Sequence, residues 1–251
     1  MKYISDSVTF QNSRWADKPN EDYIICDDGN QLYILVDGVS RDKSGGIYPN
    51  PSPAREVSVL FANTVYDYLV SNHEHIMMQE AIRLGNQKIA EFNGKVKWEN
   101  NFLPGTVGIV SMIENRKMYY CYIGDCYGLK ICMNGKKVFF TECQTKQIAK
   151  HRKKYTAYEI RNQICNNKEH PDAYGVLNGD IRALDFVVQG EIEMQEDDRI
   201  ILCSDGFDDL VTMYSALDLY NMPLEEMYGN SENKDDKTLV RISKYGEKKS
   251  E

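Results

Sequence analysis

Apolar residues change their spacing several times along the chain, and each change marks an element. Tyr3 to Phe10 reads as an N-terminal strand, followed by a polar connection through Ser13-Arg14-Trp15 to Lys18-Pro19. Two apolar runs, Tyr23 to Cys26 and Gln31 to Val36, flank Asp28-Gly29. That dipeptide suits a type I′ turn because both central residues tolerate positive φ, so the stretch predicts a hairpin. Its open end carries Glu21-Asp22 on one arm and Asp37-Gly38 on the other. Ionised carboxylates about 4 Å apart repel by roughly 4 kcal/mol at an effective dielectric of 20. A native chain therefore separates them, protonates one, or binds a cation.

A loop rich in Gly, Ser and Pro runs from Val39 to Ser52 and reads as a rim or ligand-facing segment. Ser52-Pro53 is a cap and first-turn pair for a helix, after which Val57, Leu60, Phe61, Val65, Tyr68 and Leu69 recur at helical spacing. A second helix is predicted from Glu74 to Phe92, with Ile76, Met77, Ala81, Leu84 and Ile89 on its core face and Gly94 just beyond its end. His73 and His75, spaced by two, fall on different helical faces and read as solvated caps rather than a ligand pair.

From Gly105 the period becomes that of strands: Thr106 to Ile113, Lys117 to Ile123, Tyr127 to Met133 and Lys136 to Thr141. Turns at Glu114-Asn115, Gly124-Asp125 and Asn134-Gly135 predict an antiparallel meander. Residues 142 to 178 break the pattern with a basic, aromatic, mostly helical insert containing Lys150-His151-Arg152-Lys153-Lys154 and Tyr155, either a substrate-facing flap or a solvated helix. Strands Ile181 to Gln189 and Arg199 to Cys203, a helical stretch Asp208 to Tyr220, a short helix after Pro223 and a polar linker Gly229 to Lys234 follow. Thr238 to Ser243 is the last strand, and the tail from Lys244 to Glu251 reads as frayed.

The 251 residues and 42% hydrophobic content suffice for the core of one large domain, 1–251. No run of about 18 apolar residues is present, and the first residues lack the apolar region of a signal peptide. The expectation is a soluble, cytoplasmic monomer with no membrane partner. The seven cysteines include no C-x-x-C pair and read as reduced core thiols. A net charge of -8 argues against a nucleic-acid partner, which requires clustered cations over much of a face.

Acids recur at strand boundaries: Glu21-Asp22, Asp37, Asp125, Asp205 and Asp235. Asp before Gly is ordinary turn chemistry at any one of them, but the repetition suits hard divalent cations, which want oxygen ligands. Asn20-Glu21-Asp22, Val36-Asp37-Gly38, Pro104-Gly105-Thr106, Ile123-Gly124-Asp125, Ser204-Asp205-Gly206 and Asp235-Asp236-Lys237-Thr238 occur in the order and context of the type 2C (PPM) metal-dependent serine/threonine phosphatases. Each motif alone is common; in this order the chain resembles that family from end to end.

The resemblance implies an α+β fold, a four-layer α/β/β/α sandwich of two antiparallel sheets flanked by helices, with a two-metal site at one edge. Asp37 resembles the carboxylate bridging two Mg²⁺ or Mn²⁺ ions, and Asp205 and Asp235 resemble ligands of the first. Glu21 and the Gly38 carbonyl resemble contacts to the shell of the second. Asp22 resembles the residue that orients a metal-bound water, and Asp125 the one associated with a third, weaker metal; Asp22, Asp37 and Asp125 are thus the expected catalytic residues. Two cations about 3.5 to 4 Å apart lower the pKa of a shared water and clamp the phosphoryl oxygens for in-line displacement. The implied substrate is a phosphorylated protein, the product of a Ser/Thr kinase. No cysteine has an Arg six positions later, as a cysteine-based phosphatase loop requires, and no G-x-x-x-x-G-K-[ST] is present.

Two departures stand out. The family commonly has an Arg four residues before the motif Glu to hold the substrate phosphate, whereas this chain has Asp17. Lys18 is expected to substitute as a point charge, with Arg14 and Arg41 nearby in sequence. Val39 stands where many eukaryotic relatives have His after Asp-Gly, as in bacterial-type members, leaving a water oriented by Asp22 or Asp125 as the general acid. The missing Arg keeps open an alternative, a catalytically weak or inactive module that binds phosphoproteins or regulates a partner. Asp27-Asp28-Gly29 has a superficial likeness to a Ca²⁺ loop, but its remaining ligands and flanking helices are absent.

Overall fold

The computed structural model describes residues 2–13, 17–39, 48–72 and 74–245. Among the described residues, ten strands form two antiparallel five-stranded sheets. The first sheet, in spatial order, contains β1 (Tyr3–Phe10), β10 (Lys237–Lys244), β9 (Arg199–Cys203), β6 (Tyr127–Ile131) and β7 (Lys137–Phe139). The second contains β2 (Tyr23–Asp27), β3 (Leu32–Val39), β4 (Gly105–Glu114), β5 (Lys117–Ile123) and β8 (Val188–Glu193).

The continuous apolar run Leu32 to Val36 is explained by burial on both faces. Tyr33 and Leu35 join Ile109, Met118, Ile200, Leu202, Val240 and Ile242 between the sheets. Their neighbours Leu32, Ile34 and Val36 point the other way, into a layer with Val57, Phe61, Val65, Ala81 and Ile89 of α1 (Pro53–Asn72) and α2 (Met78–Asn93). On the outer face of the first sheet, Ile201, Cys203 and Leu239 pack against Leu210, Leu219 and Met227. Those three belong to the short helices α5 (Asp208–Met213), α6 (Ala216–Asn221) and α7 (Leu224–Asn230). The period of two thus places alternate side chains in different cores, giving the four layers α/β/β/α. All seven cysteines are free thiols, and among the described residues no helix is long and apolar enough to cross a membrane.

Several local expectations are corrected. The hairpin forms, with Tyr23 opposite Val36 and Asp27 opposite Leu32, but its connection is not a two-residue turn at Asp28-Gly29. The Asp27 carboxylate accepts from the amides of Gly29 and Asn30 at 2.9 and 3.0 Å, which lengthens the loop to four residues and moves the positive φ to Gln31. The meander also fails: β4 and β5 pair, yet β6 leaves for the other sheet, where it pairs with β9 and β7. Gly124-Asp125 is therefore a crossing between sheets rather than a hairpin turn. Ile181 to Phe186 is a 3₁₀ turn, because the Asp180 side chain accepts from the Arg182 amide and coils the backbone; the strand starts only at Val188. Ile76 lies in a 3₁₀ turn ahead of α2 and is exposed, and the stretch from Asp208 to Tyr220 breaks where the Ser215 hydroxyl caps a new helix. His75 stacks on Tyr119 and meets Glu114 at 2.9 Å, while His73, most of the 39–52 loop and the tail from 246 lie outside the described residues.

The insert at 142–178 contains α3 (Lys146–His151), a 3₁₀ turn Arg152–Lys154, and α4 (Ala157–Glu159) running into a π turn Ile160–Ile164. It is pinned back by bridges from Cys165 to Tyr174 and from Leu177 to Thr106 of β4.

Gly124 turns the chain between the sheets at φ +90°, and a Cβ there would stand 2.4 Å from that of Val107. Gly124→Ala is expected to cost about 1 to 3 kcal/mol in urea unfolding, from positive φ and overpacking together. An unchanged midpoint would show that the crossing tolerates a side chain.

Candidate active site

The two sheets meet at one end, where the loops leaving β1, β3, β9 and the segment entering β10 converge. Asp236 holds them together. One of its carboxylate oxygens accepts from the Asn12 amide (2.7 Å) and the Asn12 side chain (3.1 Å). The other accepts from the Glu21 amide (3.0 Å) and from the Lys18 ammonium (2.7 Å). The same ammonium stands 3.1 Å from Asp235 and 3.3 Å from Glu21. Lys18 is only 2% exposed. Burial opposes its charge, but Glu21, Asp235 and Asp236 outweigh that and hold it above the ordinary lysine value.

Glu21 is fully buried and shares one oxygen between the Tyr48 hydroxyl, at 2.6 Å, and the Ser52 hydroxyl. Asp17, where the resemblance led one to expect Arg, accepts from the Tyr48 amide at 3.3 Å. Asp22 follows at the foot of β2. Its Oδ2 accepts from the Ser204 hydroxyl at 2.7 Å, and Ser204 in turn accepts from the Thr238 amide of β10. Gly206 permits this approach, since a Cβ there would lie 1.9 Å from the Asp236 carbonyl oxygen. Asp37 sits near the end of β3, its carbonyl accepting from the Thr106 hydroxyl at 2.8 Å. Asp125 hangs from the crossing between sheets and accepts from the Thr145 hydroxyl at 3.0 Å.

Asp37, the Gly38 backbone, Asp125, Asp205 and Asp235 line one open cavity of about 430 Å³, together with Lys18 and, from the insert, Thr145, Ile148, Ala149, Arg152, Ile160 and Arg161. Carboxylates remote in sequence thus share a single wall, with Glu21 and Asp22 buried just behind it. Burial, reinforced by the neighbouring aspartates, raises Asp37 and Asp205 well above the usual carboxylate range. Burial likewise raises Asp125. Asp22 is pushed up to about 7, mainly by burial. The acids line the wall rather than close into a cage: among the described residues no group of three Asp, Glu, His or Cys side chains stands as a ready-formed ligand set.

The donor chemistry suits a hard divalent cation. The wall offers carboxylate and carbonyl oxygens, its acids are held in energetically costly proximity, and Asp22 Oδ1 is buried with no hydrogen-bond partner. Cys126 and Cys203 lie beside the acids, but burial and the neighbouring aspartates push both thiols far up, which removes them as nucleophiles.

Asn12, Tyr48, Ser52, Ser204 and Asp236 carry positioning contacts that sequence reading assigned to none of them, and Arg152 and Arg161 of the insert line the cavity. Arg14 and Arg41 lie outside the described residues.

No family model and no curated protein sequence matches the chain. Solved structures do. The serine/threonine phosphatase PstP/Ppp of Mycobacterium tuberculosis superposes with a TM-score of 0.70 at 19% identity, covering 97% of this chain and 99% of that one. The PstP catalytic domain in complex with two manganese ions gives 0.69 at 20% identity, over 96% and 98% of the two chains. The PPM Ser-Thr phosphatase MsPP of Mycobacterium smegmatis, in complex with cacodylate, gives 0.66 at 15% identity, over 95% and 97%. The chain has the fold of the PPM serine/threonine phosphatases.

Removing Lys18 leaves three carboxylates facing one another. Lys18→Met is expected to destabilise the metal-free protein by about 3 to 5 kcal/mol in urea, the cost of breaking a buried pair from one side; a loss below about 1 kcal/mol would mean the ammonium is dispensable.

Asp22 retains its proton up to about pH 7 in the native state, against 3.8 ordinarily, so the native state binds more protons across that window. Its contribution to stability therefore falls as pH rises from about 4 to 7. In EDTA, Asp22→Asn should lose less stability than the unsubstituted chain over that range, as read by thermal unfolding; equal slopes would refute the assignment.

Proposed function

We propose that this chain is a metal-dependent phosphatase that hydrolyses phosphoserine and phosphothreonine on proteins, the products of Ser/Thr kinases, and that residues 1–251 act as one catalytic domain. The observation carrying this reading is the convergence of Asp37, Asp125, Asp205 and Asp235 on one cavity, in a fold shared with PPM phosphatases. Asp37 would hold two Mg²⁺ or Mn²⁺ ions jointly, Asp205 and Asp235 the first, the Gly38 carbonyl and Glu21 the shell of the second, and Asp125 a third, weaker ion. Bound there, the ions activate a water for in-line attack and neutralise the phosphoryl oxygens.

The chain's own groups supply position. Lys18 and Asp236 hold Asp235 on the wall and Glu21 behind it, and Tyr48 and Ser52 fix one oxygen of Glu21. Asp22 is clamped through Oδ2 by Ser204, which leaves the unpartnered Oδ1 to orient the attacking water and to manage its proton. Thr145 restrains Asp125, the other acid placed to orient a water toward the leaving serine or threonine oxygen.

A second reading, a weak or inactive module that binds phosphoproteins, rests on Asp17, which offers no grip on a phosphate.

With added Mn²⁺, release of phosphate from a phosphothreonine peptide is expected, falling more than about a hundredfold in Asp37→Asn. Turnover that survives this substitution would reject Asp37 as the shared ligand. Absence of turnover in the unsubstituted chain, with Mn²⁺ bound by calorimetry, would select the binding module.

A further inference from the structure

Position 17 is an acid, and the Lys18 ammonium is committed to Glu21, Asp235 and Asp236. Among the described residues, the other cations lining the acidic cavity are Arg152 and Arg161, both from the insert. The placement of Arg152 follows from helical geometry: Thr145, Ile148, Ala149 and Arg152, spaced i, i+3, i+4 and i+7, form a stripe along α3 and its two caps that lines the cavity. Arg161 enters from the π turn, with its guanidinium 4.6 Å over the Phe102 ring. It also lines a second cavity of about 170 Å³, which shares Val39, Arg161, Tyr174 and Val176 with the first and adds the amides of Asn101, Asn162 and Asn178.

The segment is braced. Asp172 accepts from the Tyr155 hydroxyl at 2.7 Å and meets His151 at 2.8 Å, and Thr156 and Glu159 close a capping box at the start of α4. Charge is concentrated here as well. In a chain of net charge -8, residues 146–161 hold Lys146, Lys150, Arg152, Lys153, Lys154 and Arg161 against the single acid Glu159. Lys150, Lys153 and Lys154 are exposed.

We propose that segment 146–161 is the recognition surface for the phosphosubstrate: Arg152 and Arg161 grip the phosphate at the cavity wall, and the exposed lysines select acidic residues flanking it. The occupant is a phosphoserine or phosphothreonine in an acidic peptide, with the smaller cavity receiving a neighbouring residue. Guanidinium groups match phosphate oxygens in a bidentate fork, which the lone ammonium of Lys18 does not. This proposal rests on the phosphatase reading for the location of the phosphate, so binding and turnover are measured apart.

The probe is a fluorescent peptide with acidic flanks and a non-hydrolysable phosphonate in place of the phosphoresidue, added to Mn²⁺-loaded protein and followed by anisotropy. Arg152→Ala/Arg161→Ala should weaken it about tenfold or more, with Mn²⁺ affinity by calorimetry unchanged. Lys153→Ala/Lys154→Ala should erase the preference for acidic over neutral flanks. Peptide affinity indifferent to the arginines, alongside normal hydrolysis of a phosphopeptide, would overturn the proposal and leave the phosphatase reading standing. Arginine-dependent binding without any hydrolysis would do the reverse. An oligonucleotide that displaces the peptide at equal concentration would reassign the surface to nucleic acid.

Discussion

The ion pair between Lys18 and Asp236 is the constraint on which the acidic end of the molecule depends. Six acids, Glu21, Asp22, Asp37, Asp125, Asp205 and Asp235, are gathered there by strands that have no other reason to tolerate them. Asp236 ties the chain after β1, the approach to β2 and the start of β10 into one point through four donors. Lys18 sets one ammonium within 3.3 Å of Glu21, Asp235 and Asp236 together. A buried pair of this kind adds little net stability compared with well-packed apolar residues, yet is costly to break from one side. Its effect is positional: it holds Glu21 and Asp235 beside each other at the end of the two sheets.

The β2–β3 hairpin was legible because two apolar runs flank a short polar stretch, but the register that sets Tyr23 opposite Val36 comes from a four-residue loop and not from the Asp28-Gly29 signal. The turn type was not, since a side chain, Asp27, takes over amides that a two-residue turn would have left to the backbone. The exchange of β6 between sheets was illegible for a different reason: alternation shows that a strand has two faces, not which sheet it joins. The acids at the ends of β3 and β9 could be picked out from their motifs. Asp236 lies in one of those motifs, but its role was not legible, because its donors, Asn12, Lys18 and Glu21, lie more than two hundred residues away in sequence and no local pattern refers to them. Arg152 carried a usable signal, the helical spacing from Thr145, but only the fold says that this stripe faces the carboxylates.

The proposed metal ligands and the proposed phosphate-gripping residues come from different parts of the chain. The two-sheet frame presents oxygen donors, braced by the Lys18–Asp236 pair, while the helical insert presents guanidinium groups to the same cavity. Lys18 stands beside Asp235 and Glu21 as a compact point charge that meets three acids from one atom.

Asp17 then ceases to be merely a missing arginine. Its carboxylate accepts the Tyr48 amide, and the Tyr48 hydroxyl holds Glu21 in the orientation that lets its other oxygen meet Lys18. A guanidinium at position 17 has no acceptor for that amide and would add a second cation next to one already buried. The acid at 17, the lysine at 18 and the aspartate at 236 are thus three parts of one arrangement. It places an acid where a phosphate-binding group was expected, and under the proposed function the phosphate would fall to Arg152 and Arg161, which line the same cavity from the insert.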